Sequence, residues 1–310
     1  MATLRDIIRA SERLAPHLPR TPLESAPQLG DRIWLKLENA NRTHSFKIRG
    51  ALNAILSLSD EERAQGIIAA SSGNHAGAVA YAAQLTGAKA TILMPSTTPG
   101  KKIERVKQYG AQAVIFGDNY DEAETEALRR AREGGTWLSP YNDPRVIAGA
   151  GTISLEILKQ LPKVQRVVAP VSGGGLIAGV AAALKQVDPA IEVIGVNAES
   201  APAMYNVFHD EQRPQVWDTL ADALSGEIEA GSITLPICQD YLDDMVLVSE
   251  EEIAAAMRFL LETQGWVVEG GGAVAVAAQM HDALPGNGKP TALVVSGGNL
   301  DAELLRRVLC

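Results

Sequence analysis

Cysteine is almost absent from this chain, which has only Cys238 and Cys310 among its 310 residues. The two lie far apart in sequence, and neither belongs to a Cys/His spacing of the kind that binds zinc. A disulfide framework and a zinc site are therefore not expected. The low cysteine content favours a reducing compartment, and we expect the protein in the cytoplasm.

Long apolar runs and basic clusters are missing as well. Nowhere do about 18 uncharged apolar residues follow one another, and the N-terminus from Met1 to Arg20 lacks the continuous apolar stretch of a signal peptide. The formal net charge is -9, and no basic run is present that would neutralise phosphates. We therefore expect no membrane span, no secretion and no nucleic-acid partner.

What the chain does contain is an ordinary globular composition, with 46% hydrophobic and 21% charged residues. Short apolar runs alternate with longer segments of helical period, which predicts an α/β fold with mainly parallel sheets. The predicted strands are Arg32–Glu38, Gly66–Ala70, Ala90–Met94, Ala113–Phe116, Arg166–Pro170, Ile191–Val196, Met245–Val248 and Thr291–Ser296. The predicted helices include Phe46–Leu58, Asn74–Leu85, Lys101–Tyr109, Tyr120–Glu133, Val146–Leu161, Gly174–Val187, Ser249–Thr263 and Asp301–Leu309.

One lysine, Lys47, stands where a polar loop gives way to an apolar helix, in the run Ser45-Phe46-Lys47-Ile48-Arg49-Gly50. Burial at such a place lowers the pKa of an amine and makes it a nucleophile that can form a Schiff base. Most lysines are exposed, so a surface lysine that opens a helix is the alternative reading of this run alone.

Three further motifs follow predicted strands. Ser71-Ser72-Gly73-Asn74-His75 opens a helix whose N-terminus suits a carboxylate, although an ordinary helix cap has the same composition. Ser172-Gly173-Gly174-Gly175-Leu176 lets backbone N–H groups approach a phosphate, although a flexible turn looks similar. Ser296-Gly297-Gly298-Asn299 offers a hydroxyl at a strand end, and Gly270-Gly271-Gly272 upstream reads as a tight connection or a helix start.

Together, these motifs resemble the threonine/serine dehydratase and serine racemase family, in family order and spacing from about Leu23 to Leu300. The resemblance implies the tryptophan-synthase-β type of pyridoxal-phosphate fold, with two lobes in three αβα layers. It also implies a large cofactor-binding domain (1–50 and 145–310), a small mobile substrate-binding domain (51–144) and a homodimer.

Carried over to these positions, the resemblance implies that Lys47 is the Schiff-base lysine and that Phe46 lies beside the cofactor. Asn74 would contact the ring hydroxyl and Ser296 the pyridine nitrogen. The cofactor phosphate would be bound by Ser172, Gly173, Gly174, Gly175 and Leu176. The substrate carboxylate would be bound by Ser71, Ser72, Asn74 and His75, and Ser72 also matches the second acid/base of the racemases.

The sequence departs from the family at several positions. His44 stands where Gly or Ala is usual, and Ala150 replaces a usual Gln. In metal-activated members a Glu and an Asp help bind Mg²⁺ or Ca²⁺; Glu199 matches the first, but Tyr205 takes the second place. A divalent cation therefore has a single candidate ligand here.

The resemblance implies a pyridoxal-phosphate-dependent dehydratase that converts a small β-hydroxy amino acid, such as L-threonine or L-serine, to a 2-keto acid and ammonia. Alternatives within the cofactor class are an amino-acid racemase and a dehydratase of the 3-hydroxyaspartate type. A non-catalytic α/β protein that binds a phosphate ligand is the alternative from another class. Sulfhydrylases rank below these, because Ile48 stands where they carry an acidic residue.

Overall fold

The computed structural model of the chain describes residues 2–286 and 288–309. Its two mainly parallel β-sheets are flanked by helices, so the predicted α/β class is confirmed. Cys238 is buried with a free thiol, whereas Cys310 lies outside the described residues. Within those residues, no helix has the length and apolar character that crossing a membrane requires.

The strands, in chain order, are β1 (Leu23–Ser25), β2 (Ile33–Leu37), β3 (Ile67–Ala70), β4 (Ala90–Met94), β5 (Gln112–Ile115), β6 (Thr136–Trp137), β7 (Arg166–Pro170), β8 (Glu192–Ala198), β9 (Asp244–Val248) and β10 (Thr291–Val295).

The helices are α1 (Leu4–Leu14), α2 (Lys47–Leu56), α3 (Asp60–Gln65), α4 (Asn74–Thr86), α5 (Gly100–Gln108), α6 (Tyr120–Arg132), α7 (Pro144–Gln160), α8 (Gly175–Val187), α9 (Ala203–His209), α10 (Thr234–Tyr241), α11 (Glu250–Glu262), α12 (Gly270–Met280) and α13 (Ala302–Leu309). Short 3-10 turns occur at Pro27–Leu29, Glu38–Ala40 and Asp222–Leu224.

The larger sheet has the order β1-β2-β10-β7-β8-β9 and combines both ends of the chain. Strand β10 pairs in parallel with β2 on one side, where Thr291 faces Ile33, and with β7 on the other, where Thr291 faces Arg166. Only β1 runs antiparallel, against β2. Since parallel strands end at the same edge, the chain segments after β2, β10 and β7 emerge side by side, which is where α/β proteins bind ligands.

The smaller sheet has the order β5-β4-β3-β6, and all of its pairings are parallel. Its strands fall within 51–144, and those of the larger sheet fall outside that range. The two-domain division of the chain is compatible with this arrangement and stays a prediction.

Helix α8 shows why these residues fold as they do. It is apolar all round, and every residue from Gly175 to Leu184 is buried. A helix of this kind belongs inside a protein, since it has no polar face to turn to water. Its partner α7 brings Ile147, Ala150 and Ile153 into the same core.

Helix α11 instead begins with a capping box. The Ser249 hydroxyl accepts the N–H of Glu252, and the Glu252 carboxylate accepts the N–H of Ser249. The helix ends at Glu262, one residue before the predicted end.

Candidate active site

The segments that carry Lys47 and Ser296 are joined directly. The backbone N–H of Phe46 donates to the carbonyl of Ser296 at 2.9 Å, and Ser45 forms a β-bridge with Gly297. Lys47 is the first residue of α2, and Ser296 follows β10. Two motifs about 250 residues apart in sequence therefore meet at one edge of the larger sheet.

Lys47 is partly buried beside the ring of Phe46, with its Nζ 5.2 Å from the ring centroid. The same Nζ donates a hydrogen bond to the carbonyl of Pro140 at 2.9 Å. Burial lowers the pKa of Lys47 to about 8, while the nearby Glu269 acts in the opposite direction. A usable fraction of this amine is therefore neutral, and nucleophilic, near physiological pH.

A buried ion network anchors the helix that carries Lys47. Arg49, which is 1% exposed, contacts Glu38 at 2.7 Å and Glu156 at 2.8 Å. Lys36, on the neighbouring strand β2, also contacts Glu156, at 2.6 Å. The network connects β2, α2 and α7 and includes Arg49, two residues after Lys47. The sequence analysis did not identify it.

The glycine motif forms the turn between β7 and α8. Gly174 has a φ of +85°, in the left-handed region that favours glycine, and no side chain caps the helix there. A Cβ on Gly173 would lie 2.7 Å from the ring of Tyr141, so this turn is also too crowded for a side chain. The first N–H groups of α8 lack partners within the helix and suit an anion.

Tyr141 is a further residue that the sequence analysis missed. It lies against Gly173 and Gly175, and its hydroxyl accepts the N–H of Glu229 at 2.9 Å. Its neighbour Pro140 supplies the carbonyl that binds Lys47. The segment before α7 thus contacts both the amine of Lys47 and the glycine turn.

Only part of the motif at the start of α4 takes part in hydrogen bonds within the protein. Ser71 is buried and its hydroxyl accepts the N–H of Gly73 at 3.1 Å, while Ser72 is partly exposed. His75 is buried, and its Nε2 lies 3.0 Å from the carbonyl of Leu138. Burial, helped by the charge of Lys47, lowers the pKa of His75 to about 3, so the imidazole stays neutral.

Ser296 is 6% exposed, and among the described residues its hydroxyl makes a single contact, a long one of 3.5 Å to the carbonyl of Gly271. A buried hydroxyl with so weak a partner has hydrogen-bonding capacity to spare. Its contact Gly271 belongs to the first turn of α12, which the segment Gly270-Gly271-Gly272 opens.

Glu269, which the sequence analysis did not identify, is the residue just before α12 and is 5% exposed. Its Oε1 accepts from Asn74 Nδ2 at 2.5 Å, and its Oε2 accepts from the backbone N–H of Asn299 at 3.2 Å. Burial raises the pKa of this carboxyl to about 7. The contact with Asn74 spans 195 residues of sequence, so no local pattern indicated it.

His44 has a φ of +56°, which explains why glycine would suit this position. Its side chain is exposed and lines a cavity of about 490 Å³ with Lys101, Lys102 and Arg105.

The positions expected to bind a divalent cation do not assemble a ligand set. Glu199 is exposed, and the ring of Tyr205 packs against His209, with centroids 4.3 Å apart, and under the guanidinium of Arg213 at 5.3 Å. Across residues 2–286 and 288–309, no group of three or more His, Cys, Asp or Glu residues is arranged to hold a metal ion.

Comparisons with known proteins agree on one family. The sequence model described as "Pyridoxal-phosphate dependent enzyme" matches residues 14–297. The chain is 46% identical over 316 residues to an L-threonine ammonia-lyase of Thermotoga maritima, covering 100% of this chain and 78% of the relative. It is 38% identical to the catabolic L-threonine dehydratase TdcB of Escherichia coli K12, over 98% of this chain and 94% of the relative.

Among solved structures, the chain is similar to maize serine racemase, with a TM-score of 0.92 at 33% identity, covering 99% of this chain and 97% of the other. The similarity therefore extends through both sheets and over nearly the full length of each chain.

Proposed function

The chain belongs to the pyridoxal-phosphate dependent enzyme family, and from that premise we propose that it is a threonine/serine dehydratase that releases a 2-keto acid and ammonia. The full-length similarity to L-threonine ammonia-lyase supports the substrate class. The observation that carries the chemistry is the convergence of a partly buried lysine of lowered pKa with the segment of Ser296.

The residues present fit the cofactor. Lys47 would hold it covalently, and the N–H groups at the start of α8 would bind its phosphate without any cationic side chain. The hydroxyl of Ser296, whose hydrogen-bond contact is long, would face the pyridine nitrogen, and Phe46 would lie beside the ring. When bound, pyridoxal phosphate supplies an electron sink for a carbanion next to the substrate amine.

Lys47 would also take the Cα proton of the substrate, since a free amine with a pKa of about 8 can act as a general base near neutral pH. The N-terminus of α4, with Ser71, Ser72, Asn74 and His75, would bind the substrate carboxylate. Because His75 is neutral, it would contribute hydrogen bonds rather than charge.

The hydroxyl of Ser296 would favour elimination over transamination. A neutral hydroxyl cannot stabilise a protonated pyridine nitrogen as a carboxylate does, so the ring withdraws electrons less strongly. With Ser296 at that nitrogen, the cofactor would supply a weaker electron sink, which favours prompt loss of the β-hydroxyl over transamination.

A racemase is the second candidate, supported by the similarity to maize serine racemase and by Ser72 at the position of the racemases' second acid/base. Release of keto acid from 3-hydroxyaspartate would identify a dehydratase of the 3-hydroxyaspartate type. The ring of Tyr205, packed under the guanidinium of Arg213, does not fit a divalent cation at the position of the family's metal-binding Asp.

We also propose that the protein acts in the cytoplasm as a homodimer and that the small domain, 51–144, moves toward Lys47 when substrate binds. The two separate sheets support the division into domains. Light scattering coupled to size-exclusion chromatography gives the subunit number.

The test of the function is an assay of 2-keto acid release from a panel of β-hydroxy amino acids, with chiral analysis of the remaining substrate. We expect keto acid from L-threonine or L-serine, and none from Lys47→Ala protein. The exposed Lys89→Ala variant serves as the control and should keep its turnover. Turnover by Lys47→Ala protein at near the wild-type rate would refute the role of this lysine.

A further inference from the structure

Glu269 stands at the cap position of α12 and yet does not cap that helix with its side chain. The carboxyl reaches across instead, to Asn74 at the start of α4 and to Asn299 in the segment after β10. It therefore bridges the two parts of the chain that carry the smaller and the larger sheet.

The hydrogen bonds of this cluster run in one direction. The backbone N–H of Asn299 can only donate, so Glu269 Oε2 accepts it, and an ionised carboxylate has no hydrogen to offer at Oε1 either. Asn74 must then present Nδ2 to Glu269, at 2.5 Å. Its Oδ1 is turned the other way and accepts from Asn299 Nδ2 at 2.7 Å.

The far end of the chain of hydrogen bonds is fixed as well. Arg105 has no acceptor and donates from Nη1 to Asn299 Oδ1 at 2.5 Å. The carbonyl of Thr43 has no hydrogen and accepts from Asn299 Nδ2 at 2.8 Å. The orientation of both amides is thus set by groups that can play only one role.

One hydrogen of the Asn74 amide remains after these bonds. Since Nδ2 carries two hydrogens and gives one to Glu269, the other is left to donate to a further oxygen. We propose that Glu269, together with Asn299, is a positioning residue that holds the Asn74 amide with this N–H toward the ring oxygen of bound pyridoxal phosphate, favouring the ionised ring oxygen. This inference rests on the proposed function.

The Glu269 carboxyl is about half ionised at neutral pH and mostly ionised above pH 8, because its pKa lies near 7. Burial raises its pKa to about 7 and the charge of Asp222 acts in the same direction, whereas the hydrogen bond from Asn74, the charge of Lys102 and the N–H of Asn299 lower it. The amine of Lys47 also interacts with it electrostatically. The packing is close: a Cβ on Gly297 would lie 2.1 Å from Glu269 Oε1.

The test compares Glu269→Gln with Asn299→Ala in full-length apoprotein, titrated with pyridoxal 5'-phosphate and with its 3-deoxy analogue, which lacks the ring hydroxyl. Gln has only one acceptor atom in place of two, so Asn74 would lose its fixed orientation. We expect each variant to bind pyridoxal phosphate about tenfold more weakly, with a shifted visible absorption band, and to bind the analogue as the wild type does.

Glu250→Gln is the matched control. The Glu250 carboxylate accepts from a backbone N–H, that of Leu220, and from two hydroxyls, yet takes no part in the cluster around Asn74. It should leave both affinities unchanged. Thermal melting identifies a variant that fails to fold. If Glu269→Gln fails to fold, the Asn299→Ala variant decides the outcome, because Asn299 is partly exposed.

Equal weakening toward the cofactor and the analogue would show a merely structural role and overturn the proposal. So would wild-type affinity for the cofactor in both variants. Failure of the wild-type protein to form any visible chromophore is a different result, and it would refute the proposed function itself.

Discussion

The lowered pKa of Lys47 makes a quantitative prediction about its reactivity. With a pKa of about 8, roughly a tenth of this amine is neutral at pH 7. An unperturbed lysine, with a pKa near 10.4, is only about 0.04% neutral at that pH. Lys47 should therefore offer about 200-fold more neutral amine than a freely solvated lysine.

Competitive acetylation measures this difference. Apoprotein is mixed with N-acetyl-lysine amide as an internal standard and treated with a trace of acetic anhydride between pH 6 and pH 11, and modification of Lys47 is quantified by peptide mass spectrometry. The reagent does not titrate, so the profile follows the amine alone. The rate at Lys47 should rise about tenfold per unit at low pH and level off above pH 8 to 9.

The direction of the shift follows from its cause. Burial disfavours the ammonium form, so the proton leaves at lower pH than in water. A rate that keeps rising in parallel with the standard up to pH 10 would mean that Lys47 is solvated like any surface lysine. That result would remove the physical basis for its role as a nucleophile and base.

Three further predictions test the frame around this amine. Gly174→Ala should weaken pyridoxal-phosphate binding at least about tenfold, because its φ is +85° and the new Cβ would lie 2.8 Å from Met204 Cε. Gly110→Ala is the control, since Gly110 has a φ of +81° but lies in open space, and it should leave the affinity unchanged. Fluorescence titration measures both affinities, and equal values would contradict the prediction. Arg49→Met leaves the buried Glu38 without its guanidinium partner and leaves Glu156 with Lys36 alone. The change should cost about 3–5 kcal/mol in urea unfolding, and a loss below about 1 kcal/mol would count against the network. His44→Gly should raise the unfolding free energy of the apoprotein by about 0.5 kcal/mol, because glycine adopts a φ of +56° without strain. A clear loss of stability would show that the imidazole makes contacts that outweigh this strain.

Local sequence patterns predicted most of the regular elements, because short apolar runs such as those of β7 and β10, which are buried throughout, alternate with longer segments of helical period. The short strands β1 and β6 were missed, since three and two residues are too few for a period to be read. All four motifs of the sequence analysis do lie at strand ends or helix starts.

Helix α12 was not among the predicted helices, although a helix start was one of two readings of its glycine run, and the reason lies in tertiary packing. Three consecutive glycines disfavour a helix by propensity. Here packing requires two of them, since a Cβ on Gly270 would lie 2.0 Å from the carbonyl of Leu220 and one on Gly272 would lie 2.4 Å from that of Gly297. Glu269 and Tyr141 were missed for a related reason: their partners are distant in sequence, and isolated Glu and Tyr residues have no distinctive local signal.

The most direct test of the central claim is borohydride reduction of the protein after saturation with pyridoxal phosphate, followed by peptide mass spectrometry. The account predicts a visible chromophore that is lost on reduction and a single reduced pyridoxyl adduct, on Lys47. Two results would contradict the account. One is a pyridoxyl adduct spread over surface lysines of the wild-type protein, and the other is Lys47→Ala protein that still forms an adduct with the same chromophore.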